Sequence, residues 1–216
     1  MRNKTTELVF IIDRSGSMAG MEADTVGGFN STINGQKSGE GEVYVSTVFF
    51  DNYSEVLYDR VNIKEIKPMA INDYCPRGCT ALYDAIGGAI SHIGNIHKYA
   101  RSEDVPDKTV FIITTDGMEN ASRKYTRRRV KELIERQQKR YGWEFIFLAA
   151  NIDAEEAAED IGIRRERAVN YYCDVEGIKV TYEAMCRAIS DVRMSISLDD
   201  ADWRDCLDND NKRRNN

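Results

Sequence analysis

Histidine is nearly absent from this sequence: His92 and His97 are the two among 216 residues. Neither lies near a motif, so acid–base catalysis through imidazole has no obvious player. No G-x-x-x-x-G-K-[ST] loop is present to cradle a nucleotide. No apolar run approaches the length of a membrane span. A signal peptide is not expected either, because Arg2 and Lys4 precede a short apolar stretch that Asp13 interrupts. Positive charge is not in excess, and a net charge of −6 argues against a general nucleic-acid surface. Cysteines stand at 75, 79, 173, 186 and 206, an odd number without disulfide-framework spacing. That favours reduced thiols and a cytoplasmic location. There is no internal repeat. What is present, 42% hydrophobic and 31% charged residues, suits one soluble α/β domain with a proper core.

The chain is best read around Asp13-Arg14-Ser15-Gly16-Ser17, which follows the apolar run Leu8-Val9-Phe10-Ile11-Ile12. Such a run predicts a buried strand. It ends on a carboxylate followed by hydroxyls at every second position, and an unpaired charge at a buried strand end is costly. A carboxylate with two hydroxyls is a set of hard oxygen donors, suited to Mg²⁺ or Mn²⁺ and poorly suited to Zn²⁺ or copper. More oxygens are expected at the same place. Thr80 follows Gly78-Cys79 at the mouth of a helical pattern, where its hydroxyl could cap the helix or meet a metal. A second buried-strand run, Val110 to Thr115, ends on Asp116-Gly117. In an open α/β sheet, ligands sit outside the carboxyl ends of the strands where strand order reverses.

Together these residues resemble the metal-ion-dependent adhesion site of the von Willebrand factor A domain. The resemblance assigns Asp13, Ser15 and Ser17 to a first loop, Thr80 to a second and Asp116 to a third. All the signature positions hold the expected residue types. Phe29-Asn30, the run Thr80 to Ala85 and Thr115-Asp116-Gly117 are also similar to the family, over roughly residues 5 to 195. The resemblance implies a stand-alone bacterial or phage-type member with an intact site and a three-layer, doubly wound, Rossmann-like fold. Its sheet would be mostly parallel with one antiparallel edge strand. The domain would span 1–195, followed by a polar tail, 196–216. It further implies a Mg²⁺-dependent, monomeric protein-recognition module that takes an Asp or Glu of a partner at the metal. Related stand-alone cytoplasmic members act beside ATPases in metal insertion, complex assembly or stress resistance. The competing expectation is a Mg²⁺-dependent phosphohydrolase or phosphotransferase on a similar sheet, with Asp13 as nucleophile or ligand and Asp116 as ligand. Against it, Asp13-Arg14-Ser15 lacks a second carboxylate two residues on.

Along the chain, helices are expected at Met18–Gln36, Ala81–Ile96, Arg123–Arg140, Ala154–Ile161 (capped by Asp153) and from Asp174 to about Ser195. Strands are expected at Val43–Phe50 and Tyr53–Arg60 as a hairpin, at Trp143–Ala149 and at Ala168–Tyr172. Gly27-Gly28 and Gly87-Gly88 suggest close packing of helices on the sheet. Asp84 is expected to favour its helix dipole rather than the metal. Glu119 is expected as a solvated loop acid, with water-mediated contact to the metal as the alternative. Tyr74 and Arg77, bordering Thr80, either shape partner choice or pack the loop. Cys75 and Cys79 lack the second pair of a zinc site and read as loop or buried thiols. Arg123 to Arg140 carries nine basic residues on an amphipathic helix, either a solvated face or a surface for an acidic partner. It lacks interleaved aromatics for base stacking. Trp203 and Leu207 could dock a short helix, and the last residues are expected to be disordered.

Overall fold

A strand as apolar as Leu8 to Ile12 needs cover on both faces, and the fold supplies it with helices above and below one sheet. The computed structural model describes residues 4–172, 174–199 and 202–214. Its strands are β1 (Thr5–Asp13), β2 (Glu42–Phe50), β3 (Ser54–Asn62), β4 (Lys108–Thr115), β5 (Glu144–Ala149) and β6 (Ala168–Asn170). Its helices are α1 (Glu22–Lys37), α2 (Leu82–Tyr99), α3 (Arg127–Tyr141), α4 (Ala154–Asp160), α5 (Val175–Arg193) and α6 (Asp205–Arg214). The strands form one six-stranded sheet in the order β3-β2-β1-β4-β5-β6. All neighbours are parallel except β2 and β3, so β3 is the antiparallel edge of a doubly wound sheet. Strand order reverses between β1 and β4, which opens a crevice at their carboxyl ends.

Alternation along β1 divides the core. Leu8, Phe10 and Ile12 pack with Phe29 and Ile33 of α1 and Met185 and Ile189 of α5. Val9 and Ile11 pack on the other face with Ile86 and Ile90 of α2, Val130 and Ile134 of α3 and Ala158 of α4. The glycine pairs serve a different purpose from close approach to the sheet. A Cβ at Gly28 would fall 1.9 Å from the Tyr182 ring, and one at Gly87 would fall 2.3 Å from the Tyr125 ring. These positions therefore receive tyrosine rings from α5 and from the segment before α3, while Gly27 and Gly88 face open space.

Two helices begin four residues later than their apolar patterns suggest. Gly16–Met18 is a single 3-10 turn, and Gly20 at φ +93° breaks the path before α1 starts at Glu22. Ahead of α3, Thr126 is the N-cap, its side chain accepting the Arg129 N–H, so residues 123 to 125 lie outside the helix. Asp153 and Asp174 cap α4 and α5 in the same manner. Past α5, Leu198, Trp203 and Leu207 are buried in the core shared by β1, α1 and α5. The C-terminal segment is thus packed through α6, which extends to Arg214. Positions 215 and 216, where disorder is expected, and Cys173 lie outside the described residues. Among the described residues no helix is long and apolar enough to cross a membrane.

Candidate metal centre

Asp13 ends β1 fully buried in the crevice between β1 and β4. Its Oδ1 accepts the Ser15 N–H at 2.7 Å and its Oδ2 accepts the Thr115 hydroxyl at 2.6 Å. Ser15 Oγ lies 3.1 Å from Ser17 Oγ, and Ser17 Oγ donates to Asp116 Oδ1 at 2.7 Å. Thr80 is buried, and the position a Cβ would take on Gly117 lies 3.8 Å from Ser17 Oγ and 3.9 Å from Thr80 Oγ1. The structure therefore brings Asp13, Ser15, Ser17, Thr80 and Asp116 to one place, from three loops.

Those loops are tied to one another by their backbones. Gly16 N–H donates to the Gly78 carbonyl at 3.1 Å. Gly78 sits at φ +69°, and a Cβ there would fall 2.0 Å from Asn52 Oδ1, which accepts the Cys79 N–H. Thr80 N–H donates to Asn120 Oδ1 at 2.9 Å, and Asn120 N–H returns to the Thr80 carbonyl at 3.0 Å. Below the first loop, buried Arg14 donates to Asp51 and pairs with Glu55, while Arg77 reaches the same Asp51 oxygen from the second loop. Burial works to raise the Asp51 carboxyl, but the Arg77 hydrogen bond, the Tyr53 amide and the Arg14 charge hold it below its ordinary range.

Several flanking residues have roles that the sequence leaves open or reads otherwise. Of the two readings open for Tyr74, packing holds: the residue is 1% exposed, its ring lies edge-on to Phe49, and its hydroxyl donates to the Asp13 carbonyl. Glu119 is not a solvated acid. Its carboxylate accepts the N–H groups of Tyr83, Ala121 and Ser122 and the Ser122 hydroxyl, closing the third loop on itself and on α2. Asp84 is structural through a clamp rather than through the helix dipole alone. It accepts the N–H groups of Arg123, Lys124 and Tyr125. Burial opposes ionisation of Asp84, yet those three amides hold its carboxyl below its ordinary value. Sequence reasoning gave no role to Asn52 or Asn120, and quoted Thr115 only as part of a motif. The position of Thr115 directly before Asp116 was the available signal.

The donor set fits a hard cation. Among the described residues no three His, Cys, Asp or Glu side chains converge, so the cluster is two carboxylates with hydroxyls rather than a thiolate or imidazole site. Burial raises the Asp13 and Asp116 carboxyls above their ordinary values, and for Asp13 the charge of Asp116 adds to the effect. Asp116 Oδ2 is buried and has no hydrogen-bond partner. A buried carboxylate oxygen left unpaired is costly, and a cation would relieve both the orphaned oxygen and the repulsion. Adjacent ligands of an octahedral Mg²⁺ with bonds of about 2.1 Å lie roughly 3.0 Å apart. The spacings of 3.1 Å between the serine oxygens and 2.7 Å between Ser17 and Asp116 are of that size.

No protein-family model matches the sequence, and no curated protein matches it. Solved structures do. Proximal thread matrix protein 1 from the mussel byssus superposes with a TM-score of 0.60 at 16% identity, over 87% of this chain and 46% of that one. A von Willebrand factor type A protein from Catenulispora acidiphila gives 0.58 at 15% identity, over 85% of this chain and 42% of that one. The mussel protein in a form with a zinc-occupied MIDAS motif gives 0.57 at 13% identity, over 87% and 46%. This chain thus spans less than half the length of each of those chains. At such identities the likeness speaks for the fold, and this chain has the α/β fold of a von Willebrand factor A domain: a six-stranded mixed sheet with one antiparallel edge.

Proposed function

We propose that this chain is a divalent-metal-dependent recognition module that binds an Asp or Glu carboxylate of a partner protein. The observation that carries the reading is Asp116 Oδ2, buried and unpartnered on the carboxylate whose other oxygen takes the Ser17 hydroxyl. Asp13, Ser15, Ser17, Thr80 and Asp116 would hold the ion, with Mg²⁺ or Mn²⁺ the best match to the oxygens present. When bound, the ion supplies a Lewis-acidic position that an outside carboxylate can occupy. The chain itself does the positioning. Thr115 and the Ser15 amide fix the Asp13 carboxylate, Tyr74 fixes its backbone, and Asn120 anchors Thr80.

Recognition is favoured over phosphoryl chemistry because both histidines are engaged away from these loops. His92 pairs with Asp59 and His97 with Glu7. Among the described residues Cys75, Cys79, Cys186 and Cys206 are free thiols, in keeping with a reducing, cytoplasmic setting. Calorimetric titration with Mg²⁺ and Mn²⁺ tests the centre. The wild type should bind one ion, and Asp13→Ala should bind none while keeping its circular dichroism. Unchanged Mg²⁺ affinity in that variant refutes the assignment. Capture of a host protein that chelator releases, with no turnover of generic phosphate esters, would support recognition. Metal-dependent turnover would replace it with the phosphohydrolase reading.

A further inference from the structure

A second cleft lies between α2 and α3, toward the amino ends of β4 and β5 and away from Asp13 and Asp116. Its volume is about 500 Å³, within the range of small-molecule sites. The cleft exists because α2 presents small side chains there: Ser91 and Gly94 face α3 where larger residues would close the gap. Ile90, Leu133 and Trp143 give it apolar walls. Trp143 is held rigidly, stacked on Phe111 at 5.2 Å and edge-on to His97 at 5.4 Å. His97 is itself anchored by Glu7, a fully buried carboxylate that also takes the Arg60 guanidinium.

Charge in the cleft is one-sided. Lys98, Arg129 and Arg136 stand at it against Asp107, whose carboxylate already accepts the Thr5 N–H. Arg129 shares Glu132 with Arg128, whereas Arg136 has no ion-pair or hydrogen-bond partner among the described residues. The wall also holds Gln137, 7% exposed, with Oε1 buried and unpartnered. Its Nε2 points toward Gly94, 3.3 Å from where a Cβ on that glycine would sit. A buried carboxamide with an unused oxygen is an exception in folded proteins and calls for a partner.

From this combination we propose that the α2–α3 cleft binds a small carboxylic acid with an aromatic body and a ring hydrogen-bond donor. The ring lies against Leu133 and Trp143, the carboxylate meets Arg136, and the donor meets Gln137 once its carboxamide turns. A planar guanidinium matches a carboxylate with two parallel hydrogen bonds, which favours this head group over a neutral one. The site shares no residue with the metal centre, so occupancy needs no divalent ion.

The test uses the full chain and 4-hydroxyphenylacetate as probe, followed by calorimetry and by ¹H–¹⁵N spectra of the Trp143 indole and Gln137 carboxamide. One saturable site is expected, with shifts at both groups, unchanged by chelator. Arg136→Ala should weaken it by about tenfold, as loss of a charge-assisted hydrogen bond predicts. Gly94→Leu, whose side chain would enter the cleft beside Gln137 and Trp143, should abolish binding, with circular dichroism and the melting temperature checking that the variant is folded. Gln137→Met separates a ligand role from a packing role. It should keep or raise the stability of the free protein, because it removes an unsatisfied polar group, and still weaken binding. Phenylacetate, lacking the donor, and 4-hydroxyphenylethanol, lacking the carboxylate, should each bind more weakly. The proposal is overturned if no saturable binding occurs up to millimolar probe. It is equally overturned if Arg136→Ala and Gly94→Leu leave binding unchanged, or if the alcohol binds as well as the acid.

Discussion

Thr115 decides the orientation of Asp13 more directly than any ligand does, because its hydroxyl is the partner of Asp13 Oδ2 at 2.6 Å. Groups that orient a ligand without touching the ion typically change metal affinity by about 10–100-fold when removed. Thr115→Val keeps the shape and deletes the donor. Mg²⁺ affinity by calorimetry should fall by about that factor with circular dichroism unchanged; an unchanged affinity would show that Ser15 alone orients the carboxylate. The five oxygen-bearing positions that the structure brings together were singled out by the resemblance, and each lies by a strand end or helix start that hydrophobic pattern marks. Asp84 and Glu119 were not, because what they bind is main-chain N–H. The Asp84 partners lie 39 to 41 residues away, and no side-chain motif announces them. For Tyr74 the sequence left partner choice and loop packing both open, and the structure decides for packing. A loop rich in Pro and Gly reads as surface, but this one folds inward under β1, and its ring fills the space beside Phe49.

At the level of elements, periodicity located the six strands and helices α1 to α5 among the described residues, whereas α6 lies in what reads as a polar tail, and the starts of α1 and α3 needed knowledge of a turn and a cap. Apolar spacing continues through Met18, which is buried from a 3-10 turn just as it would be from a helix. Pattern alone cannot separate those two cases. The junction of α5 and α6 shows a further coupling that spacing does not reveal. Asp174 caps α5 through the Gly177 N–H and also holds Arg214 at the end of α6, with Arg214 Nη2 3.0 Å from Asp174 Oδ1. The Arg214 hydrogen bonds, followed by the Gly177 amide, lower the Asp174 carboxyl to about 2. Its unfolded value is about 3.9, so the folded state binds the proton less tightly. The stabilisation is therefore fully present above about pH 4 and is lost as pH falls toward 2. With the Asp174 side chain 51% exposed, solvent screening limits the effect to about 1 kcal/mol or less. Urea unfolding between pH 2 and 5 should show this loss, and Asp174→Asn should flatten that part of the profile. An equal slope in the variant would assign the acid sensitivity to other carboxylates.

For the molecule as a whole, the C-terminal segment and the candidate metal centre test opposite sides of one trade. Trp203 is 1% exposed in the core that β1 and α5 share, so the polar composition around it conceals a packing anchor. Trp203→Ala should cost about 3–5 kcal/mol in urea unfolding, as large aromatic truncations in a core do. A cost under about 1 kcal/mol would show that residues beyond 195 are dispensable to the fold. The crevice at the carboxyl ends of β1 and β4 works the other way, because there the fold holds two buried carboxylates side by side at its own expense. Asp116→Asn removes one of those charges and should leave the metal-free protein at least as stable as the wild type. In Mg²⁺ at a hundred times its dissociation constant the wild type should gain about 2.7 kcal/mol over chelator, and the variant should gain almost nothing. Melting curves with and without the ion read both quantities. If the variant is less stable in chelator and still gains with Mg²⁺, then Asp116 is a structural residue and the carboxylate pair is not where the ion binds. The opposite pattern, a more stable fold that has lost its response to the ion, is what a site kept for binding rather than for folding must give.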